Sequence, residues 1–221
     1  MPIRIFSQKG TCTLDNRDVV TCAHSSCGTT TLFVMLDGAT SCPSSGDFSR
    51  ELAAFINIQF YKLTKAELVD EKGLLKILKF AQTELQHKYV CDFSSILLVL
   101  KNGTQLFVIN AGDCCLGFID STHNIEWKTC VHTFANTLQE KSIDNIKNDP
   151  LRHVLTKSFK AKKYVTPDIQ YFNLPGNTNI VMATDGFWAL NHAQQYQLLT
   201  KTLTQFEPED DASFIILENE Q

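Results

Sequence analysis

Apolar residues recur along this chain with two different periods, which divide it into strand-like and helix-like segments. Short runs rich in β-branched and apolar residues predict strands over 3–6, 18–23, 31–36, 94–100, 105–111, 114–119, 169–174, 179–184 and 213–217. Longer stretches with apolar residues three and four positions apart predict helices over 46–63, 64–87, 136–148 and 193–206. The predicted order is strands, a pair of helices, strands again, and a mixed C-terminal part.

Polar and turn-forming residues mark the ends of several segments. Asp47 or Ser49 is expected to cap the first helix, and Thr64 with Glu67 forms a capping-box pattern for the second. Asn102-Gly103 lies between two strand runs and predicts a tight hairpin, since both residues tolerate positive φ. Strands joined mainly by hairpins, with helices inserted as a pair, predict an α+β sandwich of antiparallel sheets.

Composition and charge exclude several classes of protein. The net charge is −4 and no block of Lys or Arg stands out, the most basic stretch, 157–163, being expected to be a solvated loop, so neither nucleic-acid binding nor anionic-membrane binding is expected. No apolar run approaches the length of a membrane span, and residues 1–6 lack the features of a signal peptide. A cytoplasmic location is therefore expected. The hydrophobic content of 43% in 221 residues is enough for one large globular domain.

Three acidic steps stand beside strand-like runs and carry the candidate chemistry. Asp37-Gly38 follows the run 32–36, Asp185-Gly186 follows 179–184, and Asp210-Asp211 precedes the run 214–217. A carboxylate at the end of a buried strand is costly unless its charge is compensated. We therefore expect one divalent cation site to gather these side chains, and oxygen-only ligation suits Mg²⁺ or Mn²⁺ rather than zinc.

Seven short motifs in order along nearly the whole chain carry a resemblance to a known family. They are Asn16-Arg17-Asp18; the run 33–38 ending in Asp37-Gly38; the small-residue strand 93–98; the strand 106–113 ending in Gly112-Asp113; the segments 155–158 and 167–169; Asp185-Gly186-Phe187-Trp188; and Asp210-Asp211-Ala212-Ser213-Phe214. Together they resemble the motifs of the metal-dependent type 2C serine/threonine protein phosphatases, in a compact bacterial-type form. The resemblance implies a single catalytic domain over 1–221, built as two antiparallel β-sheets flanked by helix pairs in a four-layer α-β-β-α sandwich.

The resemblance also implies a centre of two Mn²⁺ or Mg²⁺ ions between the sheets. Asp37 would bridge both ions, the carbonyl of Gly38 would bind one of them, and Asp185 and Asp210 would complete the second. Two ions a few Å apart acidify a water for attack on phosphorus and neutralise the phosphate oxygens. Asp37 and Asp185 are therefore the predicted catalytic residues.

Two further carboxylates complete the implied ligand set. Asp18 would lie on the side of the first ion, bound directly or through water, and Asp113 would join Asp185 at a third, weaker ion site. Of the acidic pair in the closing motif, Asp210 is preferred over Asp211, because the hydroxyl residue of that motif then falls in the expected place.

Four positions depart from the family pattern. Thr13 stands where many relatives have a phosphate-gripping Arg, and Arg17 replaces the acidic residue beside Asp18. Arg17 either points away from the site or provides a substitute phosphate contact. Ala39 replaces a His found after the first Asp-Gly of some relatives, and Ala189 replaces an Asp found after the late Asp-Gly motif.

The predicted function is metal-dependent hydrolysis of phosphoserine and phosphothreonine in a protein. The expected partner is a phosphorylated protein substrate, with the activity opposing a serine/threonine kinase in signalling, and the protein is expected to be a monomer. The departures leave open a pseudophosphatase that acts as a binding or regulatory module. The sequence is also compatible with a phosphatase of small phosphorylated molecules and, more distantly, with an unrelated α+β scaffold protein.

Overall fold

The computed structural model describes residues 2–64, 69–176, 178–203 and 205–218, and its strands form two antiparallel sheets. Sheet A contains β1 (Ile3–Gln8), β6 (Cys115–Ile119), β7 (Ile125–Trp127), β10 (Asn179–Ala183) and β11 (Ala212–Leu217), in the order β1-β11-β10-β6-β7. Sheet B contains β2 (Asp18–His24), β3 (Thr30–Gly38), β4 (Phe93–Asn102), β5 (Gln105–Ala111) and β9 (Asp168–Asn173) in that order, with β8 (Phe159–Lys160) beside β4. Each predicted strand is present, and β7 and β8 were not predicted.

Helices cover the outer faces of both sheets. The long pair α1 (Ser45–Thr64) and α2 (Glu71–Leu85) packs on sheet B, and short segments that include α3 (Ile143–Ile146), α4 (Asp185–Trp188) and α5 (His192–Leu199) pack on sheet A. The predicted α+β sandwich of two antiparallel sheets flanked by helices is confirmed. Within the described ranges, none of the helices is both long enough and apolar enough to cross a membrane.

Strand β3 illustrates how the apolar pattern builds the layers. Leu32, Val34 and Leu36 pack in the cluster beneath α1 and α2, whereas Phe33 and Met35 pack in the cluster between the two sheets. Successive side chains of a strand point to opposite faces, so a strand covered on both faces needs a continuous apolar run. The run in β3 therefore indicates a central position in the sandwich.

The start of α1 differs from the prediction. The helix begins at Ser45, and the amide of Phe48 donates to the carbonyl of Ser44 at 2.8 Å. Asp47 and Ser49 thus lie inside the first turns, and neither caps the helix. Ser49 instead points into the core, where its hydroxyl donates to that of a β4 serine at 3.2 Å.

Helix α2 does not begin at the predicted capping box. Thr64 is the last residue of α1, and Glu67 lies outside the described residues. The N-cap of α2 is Asp70, whose side chain accepts a hydrogen bond from the amide of Gly73 at 2.8 Å. This is the usual reason for an Asp at a helix start, because it satisfies an amide that has no partner within the helix.

The helices predicted over 136–148 and 193–206 are wrong in length. The first region contains α3 alone, between a 3₁₀ turn at Phe134–Asn136 and another at Pro150–His153. The side chain of Asn136 accepts from the amide of Lys141 at 2.7 Å, and such side-chain bonds compete with helical ones. Helix α5 ends at Leu199, and Lys201 then adopts a φ of 58°, which turns the chain out of the helix.

The predicted Asn-Gly hairpin is present between β4 and β5. Asn102 pairs with Gln105, and Gly103 has a φ of 57°. This turn places β5 directly beside β4, so the end of β5 lies close to the start of β4. That arrangement brings Asp113 toward the other acidic residues.

Candidate metal centre

Five of the predicted acidic residues converge at one end of the sandwich. Asp18 and Asp37 occupy paired positions on β2 and β3. Asp185 begins α4, with Thr184 between it and the end of β10, and Asp210 lies just before β11. Asp37, Asp113, Asp185 and Asp210 line a single cavity of about 410 Å³. Neighbouring antiparallel strands run in opposite directions, so the start of one strand lies beside the end of the next. This pairing explains the convergence.

The two oxygen atoms of Asp18 have different surroundings. Oδ2 accepts a hydrogen bond from the hydroxyl of Thr184 at 2.9 Å, whereas Oδ1 is buried and has no hydrogen-bond partner in the described part of the chain. A buried carboxylate oxygen without a donor is costly. This atom therefore fits a site for a cation.

Mutual repulsion among the carboxylates is a second indication of a cation site. Burial raises the pKa of Asp37 well above its ordinary value, and Asp18, Asp185, Asp113 and Asp210 raise it further by their negative charges. Such a cluster is stable only if protons or cations compensate its charge. At neutral pH, divalent cations are the chemically suitable partners for a set of oxygen donors.

Asp113 and Asp210 are affected in the same way. Burial raises the pKa of Asp113 to about 7, and the charge of Asp185 contributes next. Burial also raises the pKa of Asp210, again with Asp185 as the next cause.

Gly38 is buried at the end of β3, where a Cβ would lie 2.8 Å from the carbonyl oxygen of Ser45. The close approach of the Ser45 backbone explains why a glycine occupies position 38. Metal binding by the Gly38 carbonyl stays a prediction.

Hydrogen bonds from the scaffold position two of the acidic residues. The hydroxyl of Ser95 donates to Oδ1 of Asp113 at 2.6 Å, and the hydroxyl of Ser94 donates to the carbonyl of Asp37 at 2.8 Å. Trp188 is fully buried, and its indole Nε1 donates to the carbonyl of Asp113 at 2.8 Å. The small residues at the start of β4 and this tryptophan therefore hold the cluster in place.

The hydrogen bond from the Trp188 indole leads to a prediction about stability. Trp188→Phe is expected to lower the free energy of unfolding by about 1–3 kcal/mol, because the buried carbonyl of Asp113 loses its donor. Urea unfolding followed by circular dichroism would measure the loss. Trp127→Phe on β7, where the ring is only partly buried, is the matched control. An equal or larger loss in the control would contradict the role given to the indole.

The acidic pair before β11 divides into two different roles. Asp211 accepts hydrogen bonds from the amide of Gly10 at 2.8 Å, the hydroxyl of Thr13 at 2.6 Å and the amide of Arg17 at 2.8 Å. Asp211 thereby links the N-terminal loop, which joins β1 to β2, to sheet A. Asp210 instead lines the cavity with the other acidic residues. This geometry supports the preference for Asp210 as a candidate ligand.

Three of the positions that depart from the family pattern lie at or near the acidic cluster. The Arg17 side chain is mostly buried; its Nε lies 3.3 Å from Oδ1 of Asp15, and its Nη1 lies 3.5 Å from the carbonyl oxygen of Ala39. Those contacts direct it toward the loop before α1. Ala39 lines the cavity of the acidic cluster, and Ala189 lines a neighbouring cavity of about 750 Å³.

Two basic residues that the sequence did not single out stand beside Asp185. Nη1 of Arg152 lies 2.8 Å from Oδ2 of Asp185, and Nδ1 of His153 lies 3.6 Å from the same oxygen. One ligand atom each of His153, Asp185 and Asp210 fall within 4.8 Å of one another. Asp18, Asp37 and Asp113 do not belong to that closest group. The periodicity of apolar residues does not reveal these basic residues, because they lie at the end of a 3₁₀ turn.

Comparison by sequence and by structure gives different results. No family sequence model and no curated protein sequence matches this chain. Its structure is similar to the serine/threonine phosphatase Stp1 from Staphylococcus aureus, with a TM-score of 0.80, 19% identity and coverage of 99% of this chain and 95% of that one. The serine/threonine phosphatase of S. agalactiae gives a TM-score of 0.81 at 16% identity, with 99% of both chains covered.

A third similar structure contains metal ions. The catalytic domain of the serine/threonine protein phosphatase PstP in complex with two manganese ions has a TM-score of 0.72 and 13% identity, covering 98% of this chain and 97% of that one. This protein therefore has the fold of bacterial serine/threonine phosphatases. The fold implied by the resemblance in the sequence is confirmed.

Proposed function

We propose that this protein is a metal-dependent phosphatase that removes phosphate from phosphoserine and phosphothreonine in proteins. The observation that carries the proposal is the gathering of five acidic residues at one end of the sandwich, with a buried oxygen of Asp18 left without a donor among the described residues. The similarity to bacterial serine/threonine phosphatases over nearly the whole chain supports it. The substrate would be a phosphoprotein made by an opposing kinase, met in the cytoplasm by a monomer.

The oxygen donors at the site suit divalent ions, and two Mn²⁺ or Mg²⁺ ions are proposed to bind there. Asp37 would bridge them, Asp185 and Asp210 would hold one, and Asp18 and the carbonyl of Gly38 would hold the other. Asp113 would join Asp185 at a third, weaker site. When bound, such ions supply an acidified water and neutralise the phosphate oxygens. The contribution of the chain is to hold oxygen donors on rigid strand ends.

Arg152 is our candidate for the phosphate contact. The hydroxyl of Thr13 donates to Asp211, and Arg17 is held by Asp15 and the carbonyl of Ala39, so both are engaged elsewhere. The guanidinium of Arg152 donates from Nη1 to Oδ2 of Asp185 at 2.8 Å, makes no other side-chain hydrogen bond within the described part of the chain, and lies 5.8 Å from the centre of the Trp188 ring. A guanidinium in that place suits a phosphate oxygen, because it offers paired donors and a permanent positive charge.

Arg152→Ala is expected to raise KM for a phosphopeptide by about tenfold or more, since a charge-assisted hydrogen bond contributes about 1.5–3 kcal/mol. Arg152→Lys should recover part of the loss, because it keeps the charge without the fork of donors. Arg50→Ala is the control, since Arg50 is exposed on α1 and pairs with Asp47. Steady-state kinetics and competition by inorganic phosphate would measure the change. An inhibition constant for phosphate equal to that of the unaltered protein would contradict the assignment.

The proposed function as a whole is tested with a generic aryl phosphate. Turnover is expected with Mn²⁺ or Mg²⁺ and is expected to be absent in EDTA and in Asp185→Asn. Comparison of a phosphopeptide with nucleotides and sugar phosphates would then identify the substrate class. Faster hydrolysis of the small molecules would replace the protein phosphatase by a phosphatase of metabolites.

The residues that depart from the family pattern motivate one alternative function. Thr13, Ala39 and Ala189 each lack a group that the family pattern supplies for phosphate binding, proton donation or metal binding. A pseudophosphatase with the same fold would bind Mn²⁺ or a phosphopeptide without turning it over. Metal-dependent stabilisation in the absence of any hydrolysis would identify it.

A further inference from the structure

The backbone around His153 is held in place by neighbouring segments. It ends the 3₁₀ turn Pro150–His153, which is capped by the side chain of Asp149 accepting from the amide of Leu151 at 2.9 Å. The next residue, Val154, accepts a hydrogen bond from the amide of Phe134 at 2.8 Å. The position of the His153 backbone is therefore set by the fold and not by a free loop.

The His153 ring faces two of the candidate ligands. Its Nδ1 lies 3.6 Å from Oδ2 of Asp185, and single ligand atoms of His153, Asp185 and Asp210 all lie within 4.8 Å of one another. In the described ranges, no other set of three His, Cys, Asp or Glu residues approaches so closely. Ligands of one octahedral ion at about 2.1 Å lie about 3 to 4.2 Å apart, so these atoms need little movement to share an ion.

An independent observation indicates that a cation belongs at this end of the sandwich. The Oδ1 atom of Asp18 is buried without a hydrogen-bond donor in the described part of the chain, and this does not depend on the position of His153. The His153 side chain is 54% exposed and lines both cavities at the site. The ring is therefore accessible to an ion from solvent and is not packed in the core.

We propose that His153 supplies a nitrogen ligand to the ion held by Asp185 and Asp210, and that this ligand makes the site favour Mn²⁺ and other first-row transition ions over Mg²⁺. The proposal rests on the proposed function, which places a divalent ion at these carboxylates. Mg²⁺ is a hard cation that prefers oxygen ligands and retains its waters, whereas transition ions bind imidazole well. Carboxylates alone would discriminate less between the two ions.

The test measures the affinity of the full chain for Mn²⁺ and for Mg²⁺ by isothermal titration calorimetry. His153→Asn is expected to weaken Mn²⁺ binding by about tenfold or more, with a much smaller change for Mg²⁺. His87→Asn is the matched control, because His87 is exposed in the turn after α2. Pulsed electron paramagnetic resonance of bound Mn²⁺ should show coupling to an imidazole ¹⁴N that is lost in His153→Asn and kept in His87→Asn.

Asp185→Asn separates failure of this proposal from failure of the proposed function. If Asp185→Asn loses metal affinity but His153→Asn keeps full Mn²⁺ affinity, the nitrogen ligand is overturned and the metal centre stands. If neither substitution weakens metal binding, the metal centre and the His153 proposal are both overturned. Loss of turnover in His153→Asn with unchanged Mn²⁺ affinity and an unchanged ¹⁴N signal would also overturn the proposal, because His153 would then act on the substrate.

Discussion

Asp37→Asn is expected to reduce metal-dependent phosphatase activity by about 10³-fold or more while the protein stays folded. Asp37 lines the cavity of the acidic cluster and is paired with Asp18 across β2 and β3. An amide in its place is a poor bridging ligand, so the stabilisation of charge on the phosphate would be lost, and each 1.36 kcal/mol of lost stabilisation costs about tenfold in rate. The measurement is hydrolysis of an aryl phosphate with saturating Mn²⁺.

The same substitution has a readout that does not depend on activity. Without metal, the repulsion among Asp37, Asp18, Asp113, Asp185 and Asp210 opposes folding. Removing one of these charges should raise the melting temperature of the metal-free protein and reduce the further rise that Mn²⁺ produces. A folded Asp37→Asn protein with unchanged turnover would defeat the assignment of Asp37 as a ligand.

Asp211→Asn is expected to destabilise the protein by about 2–4 kcal/mol, in contrast to Asp37→Asn. Asp211 accepts three hydrogen bonds from donors in the N-terminal loop, and hydrogen bonds to a charged group contribute about 1.5–3 kcal/mol each. An amide retains one acceptor oxygen and turns an NH₂ group toward a donor. For a chain of this length, the melting temperature should fall by roughly 4–16 °C.

Differential scanning calorimetry of the metal-free proteins would measure both changes side by side. The expected result is a higher melting temperature for Asp37→Asn and a lower one for Asp211→Asn, although both substitutions remove one negative charge from the same end of the sandwich. The difference follows from the partners, since Asp37 faces like charges and Asp211 faces donors. A rise in melting temperature for Asp211→Asn would contradict its structural role.

The candidate site was largely predictable because its residues follow strands. Asp37 and Asp185 each come at the end of a buried strand or directly after one, and Asp210 comes just before one. A local pattern therefore locates them, and the cost of burying a charge argues that they share a cation. The resemblance to a phosphatase family added Asp18 and Asp113. Their roles as ligands stay predictions that the metal-binding measurements test.

The basic side of the site could not be predicted in this way. Arg152 and His153 end a 3₁₀ turn close to a region where a helix was expected, and Arg152 reaches Asp185 across a separation of 33 positions. The separation is 198 positions for Thr13 and Asp211. The helical prediction over 136–148 failed because polar side chains there, such as that of Asn136, bond to the backbone and replace helical hydrogen bonds.

The sequence by itself determined the strands other than β7 and β8, the presence of the helix pair and the acidic residues at strand ends. These depend on backbone geometry and on the partition of side chains between water and core, which act over a few neighbouring residues. The tertiary structure alone decided that Asp211 is a structural anchor, that Arg17 turns toward Asp15 and Ala39, and that His153 faces Asp185. Those outcomes depend on how two sheets and their loops pack together, because contacts between distant segments leave no periodic trace in the chain.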